Sequence, residues 1–391
     1  MAPHDVRRPF KRAAISDQQR RRDLTLQRQA QSRRDAQLQA RCLASTVLSF
    51  QSQSTEPEQE PDIELEPESL VDFLPDQEES GASSKDLDVR HASKLKGAEA
   101  RKWFARQLML PEWMIDIPDC LAQDWYVFAR PAGKRCFVVS SNGTTVSRQR
   151  NGSILHRFPS ALPNGAKIRD ASGPSQSYSI LDCIFHERDQ TYYVIDMVCW
   201  RGYSLYDCTA EFRFFWLNSK LGAVPYVKDG LLFYNKHAHY QTGNTPLALV
   251  WKDENCSQYV IDTDSKGQVP SQQQVVLELQ DDGQLVTSDD PSVVFGCLDL
   301  DFIQKTGLHS GNLLRFTVSD GGLSFVDGKL EKVDLHYLGK VNRARAFADS
   351  YSKIMFQHTV RHSPLKIDDL VASICSLDDQ QGKPCDTEMS G

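Results

Sequence analysis

Apolar positions fall into three regimes along this chain. Between Val6 and Ala44 they are thin, and Leu24, Leu26, Ala30, Ala36, Leu38 and Ala40 form a stripe too narrow to hold a core. Neither Gly nor Pro interrupts the run after Pro9, so a helix capped at Ser16 or Asp17 and running to about Arg41 is expected. A polar helix of this kind is marginal alone and should fold mainly on a partner. Residues 45–95 are rich in Glu, Pro and Ser and read as a disordered, self-repelling spacer. Their one apolar cluster, Leu70, Val71, Phe73 and Leu74, is either a short export-type motif or incidental hydrophobicity.

From Lys94 the pattern becomes that of a folded domain. A helix is expected over residues 98–110, ending at Pro111. Alternating strands follow over 125–129 and 136–140, the second closed by an Asn142-Gly143 hairpin turn. Eleven of the chain's 36 Phe, Trp and Tyr residues then crowd into residues 178–217, a density that marks the centre of a core. Within it, residues 192–195 and 212–217 read as strands separated by an Arg201-Gly202 turn. Further strands are expected over 275–279, 293–295, 313–318, 323–326 and 333–338, then helices over 346–359 and 365–375. The resulting division is a basic arm (1–44), an acidic linker (45–95), a central domain (96–260) and a C-terminal extension (261–391) to which the sequence assigns no role.

Charge sharpens this division. The net charge of −7 averages over opposites: residues 1–44 carry eleven Lys/Arg against four Asp, whereas residues 55–90 carry thirteen Asp/Glu against two basic residues. Such segregation suggests binding tails, and the acidic linker could shield the arm. The ten cysteines show no CxxC pair, and several lie in apolar strands, which argues for buried thiols in a nuclear or cytosolic protein rather than for a zinc site or a disulfide scaffold. Neither a signal peptide nor a membrane span is expected, so no membrane partner is, and no cofactor is called for.

Six short motifs, in order, resemble those of the covalent nucleotidyltransferase fold of mRNA capping enzymes and nucleic-acid ligases. Residues 130–135 (RPAGKR) stand where that family has KxDGxR, 181–185 (LDCIF) where it has LDGEL, and 193–196 (YVID) at its FD strand. Arg213 stands at a later Arg, 228–233 (KDGLLF) at EGL, and 249–252 (LVWK) at the last motif. The resemblance implies an α+β fold of antiparallel sheets. It also implies lost chemistry. Arg130 replaces the nucleophilic Lys, and guanidinium stays protonated. Ala132 and Ile184 replace two carboxylates, so shape and binding should survive without phosphoryl transfer. An active RNA guanylyltransferase or ligase with displaced catalytic residues is the alternative.

The longer runs QLMLPEWMIDIP, PAGKR, SILDCIF, QTYYVIDMVCWRGYSLYDC, FRFFWLNSKL, DGLLFY and HYQTGNTPL are similar to the snurportins, import adaptors for the 2,2,7-trimethylguanosine cap of spliceosomal small nuclear RNAs. The arm, with Arg20, Arg21, Arg22, Arg28, Arg33 and Arg34, resembles an importin-beta-binding segment; a solvated basic or RNA-binding tail is its plain alternative. The resemblance implies a non-enzymatic partner of capped snRNA and snRNPs and of importin-beta, recycled through exportin-1 and shuttling between nucleus and cytoplasm. By the same resemblance Trp251 is the stacking platform and Leu110 packs near the base with Pro111, where the family often has Ser. Gly133, Lys134, Arg135 and Arg150 contact the cap and its phosphates. Extra N2 methyls add apolar bulk and remove donors, so a pocket without a carboxylate aimed at N2 should prefer the trimethylated base. Judged alone, Trp251 is as well explained as core, and Lys134 and Arg135 as ordinary turn residues.

Overall fold

A computed structural model describes residues 18–29, 97–166, 178–221, 225–257, 259–264, 266–326, 329–341 and 347–381 of the chain. The linker, its apolar cluster, Arg33 and Arg34 lie outside the described residues.

The architecture is α+β with mainly antiparallel sheets, as expected. The first sheet runs β1-β10-β9-β2, with β1 (Met109–Trp113), β2 (Trp125–Pro131), β9 (Lys228–Asn235) and β10 (Gly243–Trp251). Only the β1–β10 pairing is parallel. The second sheet runs β5-β4-β3-β6-β7-β8, with β3 (Lys134–Ser141), β4 (Thr144–Gln149), β5 (Ile154–Phe158), β6 (Ser179–His186), β7 (Thr191–Trp200) and β8 (Tyr203–Ser204). The expected hairpin joins β3 to β4 through Asn142 (φ 47°) and Gly143 (φ 78°), the left-handed pair a tight two-residue turn needs. Phe137, Val139, Ile180, Ile184 and Ile195 of the second sheet meet Leu232, Tyr234, Ala248 and Val250 of the first in one apolar core. Alternation along each strand makes this possible: every second side chain faces inward.

Two expectations change at the borders of this core. The first helix of the domain, α2 (Gly97–Phe104), stops before residue 110, and residues 109–113 form β1 instead, followed by the single turn α3 (Leu121–Asp124). Pro111 is tolerated because β1 is an edge strand, with its register to β10 shifting between Pro111 and Glu112. Residues 212–217 are not a strand. They lie within helix α4 (Ala210–Lys220), opened by Thr209, whose hydroxyl accepts from Phe212 N at 3.3 Å. Helical spacing buries Ala210 and Arg213 and leaves Phe212 and Phe215 exposed. Arg213, 0% exposed, forks onto Asp196 at 2.9 Å twice and donates to the carbonyls of Cys208 and Ala238. This tertiary anchor overrides the local β-preference of an aromatic run.

The arm helix, α1 (Gln18–Gln29), is docked on the folded domain rather than standing free. Gln18 bonds Glu112 Oε2 at 3.0 Å and Trp113 O at 2.9 Å, and Arg21 forks onto the same buried Glu112. Arg22, 2% exposed, donates to Pro246 O at 3.2 Å and lies over the Trp125 ring at 5.4 Å. Polar side chains, not an apolar stripe, make this attachment, which explains how so polar a helix finds a seat.

The C-terminal third builds its own sheet, β13-β12-β11-β14-β15, from β11 (Gln273–Leu279), β12 (Gln284–Val286), β13 (Val294–Cys297), β14 (Leu313–Val326) and β15 (Lys329–Lys340). The two expected runs at 313–318 and 323–326 are thus one strand. Between β13 and β14 lies α5 (Leu300–Thr306). Helices α6 (Tyr351–His362) and α7 (Ile367–Gln381) follow. Tyr351 and Ile354 of α6 pack into this sheet's core, while Phe356 of α6 and Leu370 of α7 pack with Phe233, Leu249 and Trp251 of the first sheet. Helix α6 therefore belongs to both halves. None of the described helices is long and apolar enough to cross a membrane.

Candidate functional site

A cavity of about 670 Å³ opens where the two halves meet. The central domain supplies Leu110, Pro111, Trp113, Arg130, Lys134, Arg135, Gln149, Arg150, Asn151, Asn244, Val250 and Lys252. Tyr259 and Asp262 follow from the connecting segment, and Phe347, Ala348, Asp349, Ser350 and Lys353 from the approach to α6 and its first turn. Five of the seven expected cap residues, Leu110, Pro111, Lys134, Arg135 and Arg150, thus converge on one cavity. Two do not.

Trp251 is the first exception. Val250 and Lys252 face the cavity, and strand alternation therefore turns Trp251 to the opposite side of β10. There its ring is 1% exposed among Met114, Phe233, Phe356 and Leu370, and its Nε1 donates to Leu365 O at 3.1 Å. It offers no open face to a ligand and cannot serve as the platform in this arrangement. The aromatic side chains that do line the cavity are Trp113, half-buried with its ring 4.7 Å from Phe356, Phe347, and Tyr259, 64% exposed. Gly133 is the second exception. At φ 137° it lies against β6, where a Cβ would meet Phe185 O at 2.3 Å. Its task is a close backbone approach, not a contact with whatever fills the cavity.

The cations differ in how tightly they are held. Arg135 forks onto Asp182 at 3.0 and 2.7 Å, and Asp182, 0% exposed, also accepts from Tyr240 Oη at 2.7 Å. Burial disfavours charge on Arg135, yet the Asp182 carboxylate more than offsets it and drives the guanidinium further up. Removing either partner would leave a buried charge alone, so Arg135 is a structural strut at the cavity wall. Lys134 instead pairs with Glu187 in the open, with side chains 54% and 59% exposed. Exposed pairs are worth about 0–1 kcal/mol, so Lys134 can exchange Glu187 for an incoming phosphate at little cost.

Asp229 sits between two more cations. It accepts from Lys252 Nζ at 2.6 Å and Ser257 Oγ at 2.6 Å, and pairs with Arg130. Burial raises its carboxyl, but the Lys252 and Ser257 hydrogen bonds and the charges of Lys252 and Arg130 outweigh that and hold it below the ordinary range. Burial leads the other way for Lys252 and leaves its amine below the usual value despite Asp229. Arg130 and Lys252 were read in the sequence only as motif positions. The signal that could have placed Lys252 was its alternation with Val250 along β10. On the C-terminal wall, Lys353 Nζ bridges Asp262 at 2.6 Å and Asp349 at 3.0 Å. The pocket lining thus includes two carboxylates, both from the region to which no role was assigned.

The fold and cavity define a non-enclosed, basic, aromatic-lined cleft in an α+β protein. Residues 107–227 match the family model described as Snurportin1, m3G cap-binding domain. That segment supports cap binding at the level of the domain and holds Leu110, Pro111, Trp113, Arg130, Lys134, Arg135, Gln149, Arg150 and Asn151 of the lining. Similar solved structures include the mycobacterial DNA ligase D complexed with ATP and MES, 13% identical over 60% of this chain and 95% of that chain, with a TM-score of 0.30. Another is the ligase domain of M. tuberculosis LigD, 13% identical over 61% of this chain and 95% of that chain, at 0.28. Scores this low carry no weight for chemistry.

Proposed function

We propose that this chain is a non-catalytic adaptor that binds the 2,2,7-trimethylguanosine cap of spliceosomal snRNAs in the cleft between β1, β3 and β10 and the start of α6. The observation that carries the reading is the convergence of Leu110, Pro111, Lys134, Arg135 and Arg150 on one cavity, beside the match of residues 107–227 to a cap-binding family. The flat cationic base stacks on Trp113 or Tyr259, where base–aromatic stacking contributes about 1–3 kcal/mol. The triphosphate takes Lys134 and Arg150, the two lining cations of the matched segment that stand exposed. Arg130 at the nucleophile position supports the non-catalytic reading, because a guanidinium stays protonated and cannot attack a phosphate.

The adaptor reading adds importin-beta as the partner of α1, snRNPs as cargo, exportin-1 for return and shuttling between nucleus and cytoplasm as the consequence. Arg21 and Arg22 are held by Glu112 and Pro246, so α1 must leave its seat before a receptor groove can take them.

Trp113 sits in the cleft and supplies the readout. Titration with m3GpppG should quench tryptophan fluorescence more steeply than titration with m7GpppG, and Lys134→Glu with Arg150→Glu should remove the quench. Equal affinity for both caps would defeat the trimethyl selectivity. Labelled GTP with Mg²⁺ should leave no covalent label, and a labelled band would defeat the non-catalytic reading.

A further inference from the structure

A second cavity, about 410 Å³, lies beside the first. The connecting segment is pinned across α6 between the two: Gln357 donates to Val260 O at 2.9 Å and accepts from Asp262 N at 3.0 Å. Tyr259 and Asp262 face the cleft, while Ile261 faces the second cavity. Lys353 marks the cleft end of α6 and Arg361 the other, roughly 12 Å further along the helix axis.

The lining of the second cavity is one-sided in its chemistry. It holds Arg361, His358 and His362 from α6 with the hydroxyls of Ser271 and Ser319, and no Asp or Glu among the described residues. The two histidine rings stand 4.3 Å apart, one helical turn from each other, a spacing that disfavours charge on both unless an anion sits with them. Ser319 Oγ is itself bonded to His336 Nε2 at 2.9 Å. Arg361 spends Nη1 on the carbonyls of Pro270 and Ser271, while its Nε is buried without a hydrogen-bond partner. No carboxylate among the described lining residues faces these groups, and one buried donor, Arg361 Nε, has no partner.

We propose that this cavity is an anion site that holds a backbone phosphate of the RNA leaving the cap, with Arg361, His358 and His362 as its donors. RNA is favoured over an acidic peptide because a few nucleotides of single strand span the distance along α6 from the cleft, and a phosphodiester repeats its charge at each step. The path from cleft to cavity rests on the cap reading; the anion site does not.

The test uses the full chain and three probes: m3GpppG, a short m3G-capped oligoribonucleotide and the same oligonucleotide uncapped. His362→Glu puts a carboxylate at an exposed position of the lining, and Arg361→Gln removes the guanidinium. Each should weaken both oligonucleotides about tenfold, the effect of losing one charged hydrogen bond, and leave the dinucleotide unchanged. Since Arg361 also ties down the 270–271 turn, His362→Glu keeps the test valid should Arg361→Gln fold poorly. Oligonucleotide affinity unaltered in His362→Glu overturns the proposal, whatever the dinucleotide does. Oligonucleotides that depend on His362 beside a dinucleotide that never binds would uphold the anion site and sink the cap reading instead.

Discussion

The two walls of the cleft are built differently. The wall from the matched segment consists of paired strands, with Arg135 locked to Asp182 and Pro111 fixed in an edge strand. The opposite wall comes from a connecting segment and a helix start, and there one cation, Lys353, is shared between two carboxylates, Asp262 and Asp349. One wall is rigid and keeps its cations at set positions. The other is an irregular segment tied to β11 where Asp349 Oδ2 accepts from Val276 N at 2.8 Å. The segment that matches a cap-binding family model thus holds about half of the lining; β10 adds Asn244, Val250 and Lys252, and the remainder comes from the connecting segment and the start of α6.

Trp251 ties the walls together, and its truncation should have the largest effect. Trp251→Ala should cost about 3–5 kcal/mol in urea unfolding, as losing a fully buried Trp does. A stable Trp251→Ala protein that had lost only cap binding would restore the stacking role and undo the distinction between the two faces of β10. Arg135→Ala should cost a similar or slightly smaller amount, about 3–4 kcal/mol, because Asp182 is left charged and buried. Near-normal stability with lost ligand binding would make Arg135 a ligand contact instead.

The docked arm gives an intermediate effect. Glu112→Ala removes the acceptor of both Gln18 and Arg21 and should weaken the seat of α1 by about 1–3 kcal/mol. Faster tryptic cleavage within residues 18–29, with unchanged melting of the core, is the expected pattern; unchanged cleavage would mean that the remaining bonds, Arg22 to Pro246 O and Gln29 to His237 O and His239 N among them, hold the helix.

The smallest effect is acid sensitivity at Asp229. Its folded carboxyl lies below the ordinary value of 3.8, so its stabilisation is complete above that value and is lost as pH falls through the lower folded one. Wild-type urea midpoints should therefore fall more steeply below about pH 4 than those of Asp229→Asn. Parallel curves would show that Lys252 and Arg130 do not depend on that carboxylate.

Much of the fold was legible along the chain. The β3–β4 hairpin follows from Asn142-Gly143, and β2, β7, β11 and the last two helices follow from apolar periodicity. The helix over Ala210–Lys220 was misread because FRFFWL has the composition of a strand; the Thr209 cap and the spacing of Ala210, Arg213 and Leu217 were the quieter signal. The cleft was half legible. Leu110, Arg130, Lys134, Arg135 and Lys252 stand in recognisable motifs, whereas Tyr259, Asp262 and Lys353 carry no motif.

What the sequence by itself determined is local: which residues alternate, which turn, where charge is segregated and which segment resembles a cap-binding domain. Which face of β10 each of its side chains takes, whether Arg135 is spent on Asp182, and where the polar arm rests were decided only in three dimensions. The reason is common to all three. Each turns on a partner far along the chain, Leu365 for Trp251, Asp182 for Arg135 and Glu112 for Arg21, and a linear pattern holds no record of which distant groups will be close enough to bond.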